Sequence, residues 1–123
     1  MSKGEDLVNS ILIRKKISFV REKIFKDLKS PNDSSFLPVD FALDIGGSQA
    51  IVEYNGSQHY APINKTPEAM DAWNRVSKNG QARILYCKQY NVPLLVIHYG
   101  DFERVEEILE KFILDVKDSK TGT

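Results

Sequence analysis

Two carboxylates stand inside otherwise apolar stretches: Asp40 between Val39 and Phe41, and Glu53 between Val52 and Tyr54. An ionised side chain is costly to bury unless something compensates it. If the two stretches pair as neighbouring strands, both acids reach the same end of a sheet. Two oxygen donors held close repel each other, and a divalent cation relieves that repulsion. Mg²⁺ prefers oxygen ligands, keeps several waters and shares its remaining positions with phosphate. There it polarises the phosphate and activates water. On the alternative reading, both acids lie on the solvent face of an edge hairpin. His59 follows just past the second stretch, where a histidine serves as base, charge stabiliser or metal ligand, or has no task at all. Glu5 completes a metal shell or simply closes a helix cap. Arg83 offers the cation that phosphoryl transfer needs, although a surface ion pair is the ordinary role of a helical arginine. His98 has no motif around it and reads as structural. Met70 and Trp73 read as core rather than as a platform for bases.

These side chains need elements to hold them. Ser2-Lys3-Gly4-Glu5 has the form of a capping box, and Leu7, Val8, Ile11 and Leu12 mark one face of a helix running to about Lys15. Residues 17–25 alternate roughly and should be extended, and 30–35 form a loop rich in Pro, Asn, Asp and Ser. Leu37 to Leu43 and Gln49 to Tyr54 are strands joined through Asp44-Ile45-Gly46-Gly47, a hairpin. Pro67 to about Tyr90 is helical, as one weakened helix or two short ones, because Asn79-Gly80 lies within it. Val92 to Ile97 is a buried strand. Asp101 caps a last helix with a core stripe of Phe102, Val105, Ile108, Leu109, Phe112, Ile113 and Val116. The order α-β-β-β-α-β-α predicts an α/β sandwich around a central mixed sheet.

At 123 residues and 41% apolar, the chain suits one domain over residues 1–118, with 119–123 as a frayed tail. The single cysteine, Cys87, excludes an intrachain disulfide and fits a reducing compartment. No apolar run is long enough to cross a bilayer and no signal peptide is visible, so a cytoplasmic protein with no membrane partner is expected. Seventeen basic residues balance seventeen acidic ones, but unevenly. Residues 1–30 carry eight bases against four acids, and residues 101–118 carry seven acids against three bases. A phosphate backbone would prefer the basic front, including Arg14, Lys15 and Lys16; the bland reading is two solvated faces. There is no Walker-type phosphate loop, no Cys/His pattern for zinc and no nucleophile elbow.

Pro38-Val39-Asp40, followed by Glu53-Tyr54-Asn55, resembles the paired acidic strands of the PD-(D/E)XK nuclease superfamily. The fuller string Val52-Glu53-Tyr54-Asn55-Gly56-Ser57-Gln58-His59-Tyr60, then Tyr86-Cys87 and Val92 to Ile97, is similar to the branch of very-short-patch repair and phage homing-type endonucleases, the EDxHD group. The resemblance spans about Gly4 to Leu114. It implies a restriction-endonuclease-like fold, with Glu5 as the first-helix glutamate, Asp40 as the metal-binding aspartate, Glu53 as the second-strand acid, and His59 with Gln58 beside it. Two positions depart from the pattern. Asn55 stands where the superfamily has lysine, a cation that Arg83 would then supply. Gly80 stands where phage-type relatives often carry an aspartate.

The expectation is a DNA endonuclease, phage-encoded or otherwise, that uses Mg²⁺ or Mn²⁺ between Asp40 and Glu53, with Glu5 as a further ligand. His59 would assist proton transfer, Arg83 or Lys88 would steady the phosphate, and the basic front would guide the duplex. The alternative is a nuclease fold retained for binding nucleic acid or a protein. Specificity would come from a homodimer or a separate DNA-reading partner, since the chain has no room for a recognition domain.

Overall fold

The computed structural model describes residues 2–56, 62 and 64–121. Helix α1 spans Lys3–Arg14 and opens on the expected capping box: the Ser2 hydroxyl accepts from the Glu5 amide at 3.1 Å, and Glu5 Oε2 accepts from the Ser2 amide at 3.4 Å. Its buried residues, Gly4, Val8, Ile11 and Leu12, fall three or four apart on one face. Lys16, at φ 59°, turns the chain out of the helix and into strand β1, Ser18–Lys23.

Strands β2 (Val39–Ile45) and β3 (Ser48–Asn55) form an antiparallel hairpin. Gly46 and Gly47 both have positive φ, 60° and 90°, as a two-residue type I′ turn requires. The Asp44 carboxylate ties the turn by accepting from the Gly47 amide at 2.8 Å. The chain then crosses through helix α2, Pro67–Gln89, and returns as strand β4, Leu94–His98, parallel to β3. A 3₁₀ turn, Tyr99–Arg104, leads into helix α3, Val105–Thr121. The result is the α/β sandwich read from the sequence, with a mixed four-stranded sheet in the order β1-β2-β3-β4.

Each face of the sheet has its own core. On one, Val8, Ile11 and Leu12 of α1 and Val105, Leu109 and Ile113 of α3 pack with Phe41, Leu43 and Val52. On the other, Cys87 of α2 packs with Val39, Ala42 and Ile51, flanked by Ala82 and Tyr86. α1 and α3 therefore share one layer and α2 covers the opposite face.

Several details depart from the sequence reading. α2 runs unbroken through Asn79-Gly80, yet Cys87 is the one residue of its 23 that is buried. Met70 is 40% exposed rather than core, and Trp73 is half-buried. Asp101 is not a helix cap: it lies inside the 3₁₀ turn at φ −102°, ψ 20°, and this turn leaves Phe102 at 36% exposure, outside the core stripe. No helix among the described residues is long and apolar enough to cross a membrane.

Candidate metal centre

The β1-β2-β3 ladder is interrupted at one level. Arg21 pairs with Phe41 and Lys23 with Val39, but Glu22 and Asp40, which face each other between them, form no ladder pair. The β2-β3 pairing likewise stops at Phe41–Val52, one step short of Asp40 and Glu53. Regular alternation also fails there: Val39 packs in the α2-side core, while Phe41, two residues on, packs in the α1-side core. The backbone groups that the ladder leaves unpaired are taken up by the acids themselves. Asp40 Oδ2 accepts from the Tyr54 amide at 2.8 Å, and Glu53 Oε2 accepts from the Asp40 amide.

Glu22 makes a second irregularity. Its φ of 52° lies in the left-handed region, in the middle of a strand. For a residue with a full side chain this costs about 1–2 kcal/mol. The chain bends so that the Glu22 carboxylate joins those of Glu5 and Asp40; one oxygen from each lies within 4.8 Å of the others. Glu5 comes from the first turn of α1, which is pressed onto the sheet because residue 4 is glycine. A Cβ there would stand 2.0 Å from Tyr54 Cζ. Among the described residues the donor set is wholly carboxylate oxygen, which suits a hard cation such as Mg²⁺ or Mn²⁺.

Glu53 sits beside this group but turns toward the other layer. It is buried, and its Oε1 lies 3.2 Å from Arg83 Nε of α2, which also donates to the Pro38 carbonyl at 3.0 Å. Burial, aided by the neighbouring Asp40 charge and opposed by Arg83, pushes the Glu53 carboxyl up to about 7. Burial also raises Asp40 to about 6, against the pull of the Tyr54 amide. The Cys87 thiol is pushed up to about 11, by burial first and then by the Glu53 charge, and so stays protonated.

The sequence-derived candidates thus divide into groups. Asp40 meets Glu5, while Glu53 meets Arg83, and the two sets are joined through the Asp40 amide. Glu22 was missed. In Arg21-Glu22-Lys23 it reads as part of a solvated strand edge, and no local signal marks the bend that recruits it. His59 and Gln58 lie outside the described residues. His98 is exposed and lines a groove of about 320 Å³ with Glu53, Asn55, Gly80 and Arg83.

Two cations of the basic front are spent on the acidic back. Arg14 pairs with Glu106, and Lys15 with Glu110 at 2.7 Å, because α1 and α3 lie side by side. Arg21 Nη2 reaches Glu5 Oε1 at 3.5 Å while its guanidinium covers the Phe41 ring at 4.6 Å. Lys16 and Lys88 are exposed, as are Lys23, Lys26 and Lys29 around the end of β1. Comparison with family models, with curated proteins and with solved structures finds no match for this chain.

Proposed function

We propose that this chain is a metal-dependent nuclease that hydrolyses phosphodiester bonds in DNA. The observation that carries the reading is the gathering of Glu5, Glu22 and Asp40 within 4.8 Å at an interrupted sheet end. A left-handed glutamate maintained in a strand to complete such a group argues for use rather than accident.

Glu5, Glu22 and Asp40 would hold Mg²⁺ or Mn²⁺, which supplies Lewis acidity for a phosphoryl oxygen and a more acidic bound water. Glu53 acts through Asp40: its carboxylate holds the Asp40 amide, and Arg83 fixes Glu53 in turn. Arg21 sets the position of Glu5. His59, which follows β3 after Gln58, would assist proton transfer, as the resemblance to the very-short-patch branch implies. Exposed Lys23 and Lys26 would meet the phosphate backbone of a duplex approaching the Glu22 side.

A second reading, a nuclease fold that binds DNA without cutting it, draws on one specific feature. Arg83 is the cation expected to steady the phosphate, and it is already committed to Glu53 and the Pro38 carbonyl. Cleavage of plasmid and branched DNA in Mg²⁺ and in Mn²⁺ separates the readings. Wild type should cut, and Glu22→Gln should retain its fold and lose about 100-fold in rate or more, in line with losing a metal ligand. Wild-type binding without cleavage in both metals would overturn the nuclease reading in favour of the second.

A further inference from the structure

Apart from the acidic centre, α3 and β4 leave a shallow groove of about 250 Å³ on the outer side of the sandwich. Its floor is apolar: Leu95 of β4 with Ile108 and Phe112 of α3, all half-buried. β4 is an edge strand among the described residues, and its Leu94 to Ile97 stretch carries no charge. Edges of this kind invite a partner.

The rim of the groove is charged in a fixed order. Arg104, at the end of the 3₁₀ turn, and Glu107, Lys111 and Asp115 of α3 follow one another as plus, minus, plus, minus. They pair with their neighbours, Arg104 with Glu107 at 3.0 Å and Lys111 with Asp115 at 3.4 Å. All four are at least 61% exposed. Ion pairs this open contribute little to the fold, so they can be exchanged for others at small cost. They also lie on a different side of α3 from Glu106 and Glu110, which face α1.

We infer that this face docks a second copy of the chain, with the two α3 helices antiparallel about a two-fold axis. The charge order is self-complementary under that operation. An axis passing near residue 109 sets Glu107 against the partner copy's Lys111 and Arg104 against its Asp115. The midpoints of the two pairings differ by half a residue, about 0.8 Å along a helix. Both pairings therefore fit one axis, and each occurs twice in the dimer. A parallel arrangement of the helices would instead set like charges together. The apolar floor of each copy then lies beneath the other copy's helix, where Leu95, Ile108 and Phe112 leave water. One helix face and the rim of a strand is a small contact, so the dimer is weak and dissociates on dilution.

Charge exchange tests this directly, by sedimentation velocity over a range of concentrations. Wild type should associate at high concentration. Glu107→Lys leaves two lysines facing two lysines across the axis, and Lys111→Glu leaves glutamates facing glutamates. Each variant alone should associate about tenfold more weakly than wild type or worse. Mixed in equal amounts, they should recover association as a heterodimer, because the lysine introduced in one variant then meets the glutamate introduced in the other. Both sites are exposed helix positions, and circular dichroism of each variant verifies that the fold is kept. A wild type that stays monomeric at every concentration would overturn the proposal. So would a mixture that associates no better than its components.

Discussion

The approach of α1 to the sheet depends on the missing side chain at position 4, and Gly4→Ala tests how tightly that approach is set. The added Cβ would lie 2.0 Å from Tyr54 Cζ and 2.2 Å from Cε1. Carbon atoms rest about 3.5–4.0 Å apart, so ring or helix must yield by roughly 1.5 Å. The ring has little freedom: Tyr54 is 9% exposed, belongs to the α1-side core, and has its amide held by Asp40. Overpacking of this kind costs about 1–3 kcal/mol, and the helix preference of alanine returns at most about 1 kcal/mol. The net expectation is a loss of about 1–2 kcal/mol, a fall in Tm of roughly 4–10 °C for a domain of this size. If the helix yields, Glu5 moves away from Glu22 and Asp40, and Mn²⁺ affinity should fall about tenfold, as it does when a ligand's support is lost. Thermal denaturation and calorimetric titration with Mn²⁺ read the two effects. Gly80→Ala is the internal control. Nothing lies within 4 Å of a Cβ there, so it should stabilise α2 by up to about 1 kcal/mol. A Gly4→Ala protein with wild-type Tm and wild-type Mn²⁺ affinity would refute the reasoning.

Three further outcomes are expected. Asp40 and Glu53 are both raised above their ordinary values, so folding disfavours their ionised forms. The stability they allow is fully present below about pH 4 and is lost as pH rises through 6 and 7, a change on the order of a few kcal/mol. Denaturant melts of the metal-free protein at pH 5 and pH 8 should show it, and Glu53→Gln should flatten it. Asp40→Asn retains an oxygen for the Tyr54 amide but removes a buried charge, so without metal at pH 8 it should melt higher than wild type, while Mn²⁺ no longer raises its Tm and cleavage is lost. Lys26→Gln should reduce the slope of log DNA affinity against log salt by about one; Arg14→Gln, whose cation is held by Glu106, should leave that slope nearly unchanged.

The parts of the fold that were legible in the sequence are those that local chemistry decides. Ser2 and Glu5 close their cap within four residues, and Gly46-Gly47 closes its hairpin within two. Two apolar runs joined by a tight glycine turn read as a hairpin, and its pairing brings Asp40 and Glu53 to one sheet end. What escaped depends on distant packing. Met70 and Phe102 fit an apolar period, but the fold leaves them 40% and 36% exposed. Glu22 joins the acids through a backbone bend that its neighbours do not encode. The charge asymmetry between the ends of the chain was real in sequence, yet α1 and α3 fold side by side and cancel part of it through Arg14–Glu106 and Lys15–Glu110. Arg83 shows the same limit: its type allows a phosphate contact or an ion pair, and only the fold brings Glu53 to within 3.2 Å of it.

Anomalous scattering from a crystal soaked in Mn²⁺ bears most directly on the acidic centre. A peak should stand about 2.2 Å from oxygens of Glu5, Glu22 and Asp40, and it should vanish in Glu22→Gln. No peak there, or a peak that persists without Glu22, would contradict a metal centre built from these side chains.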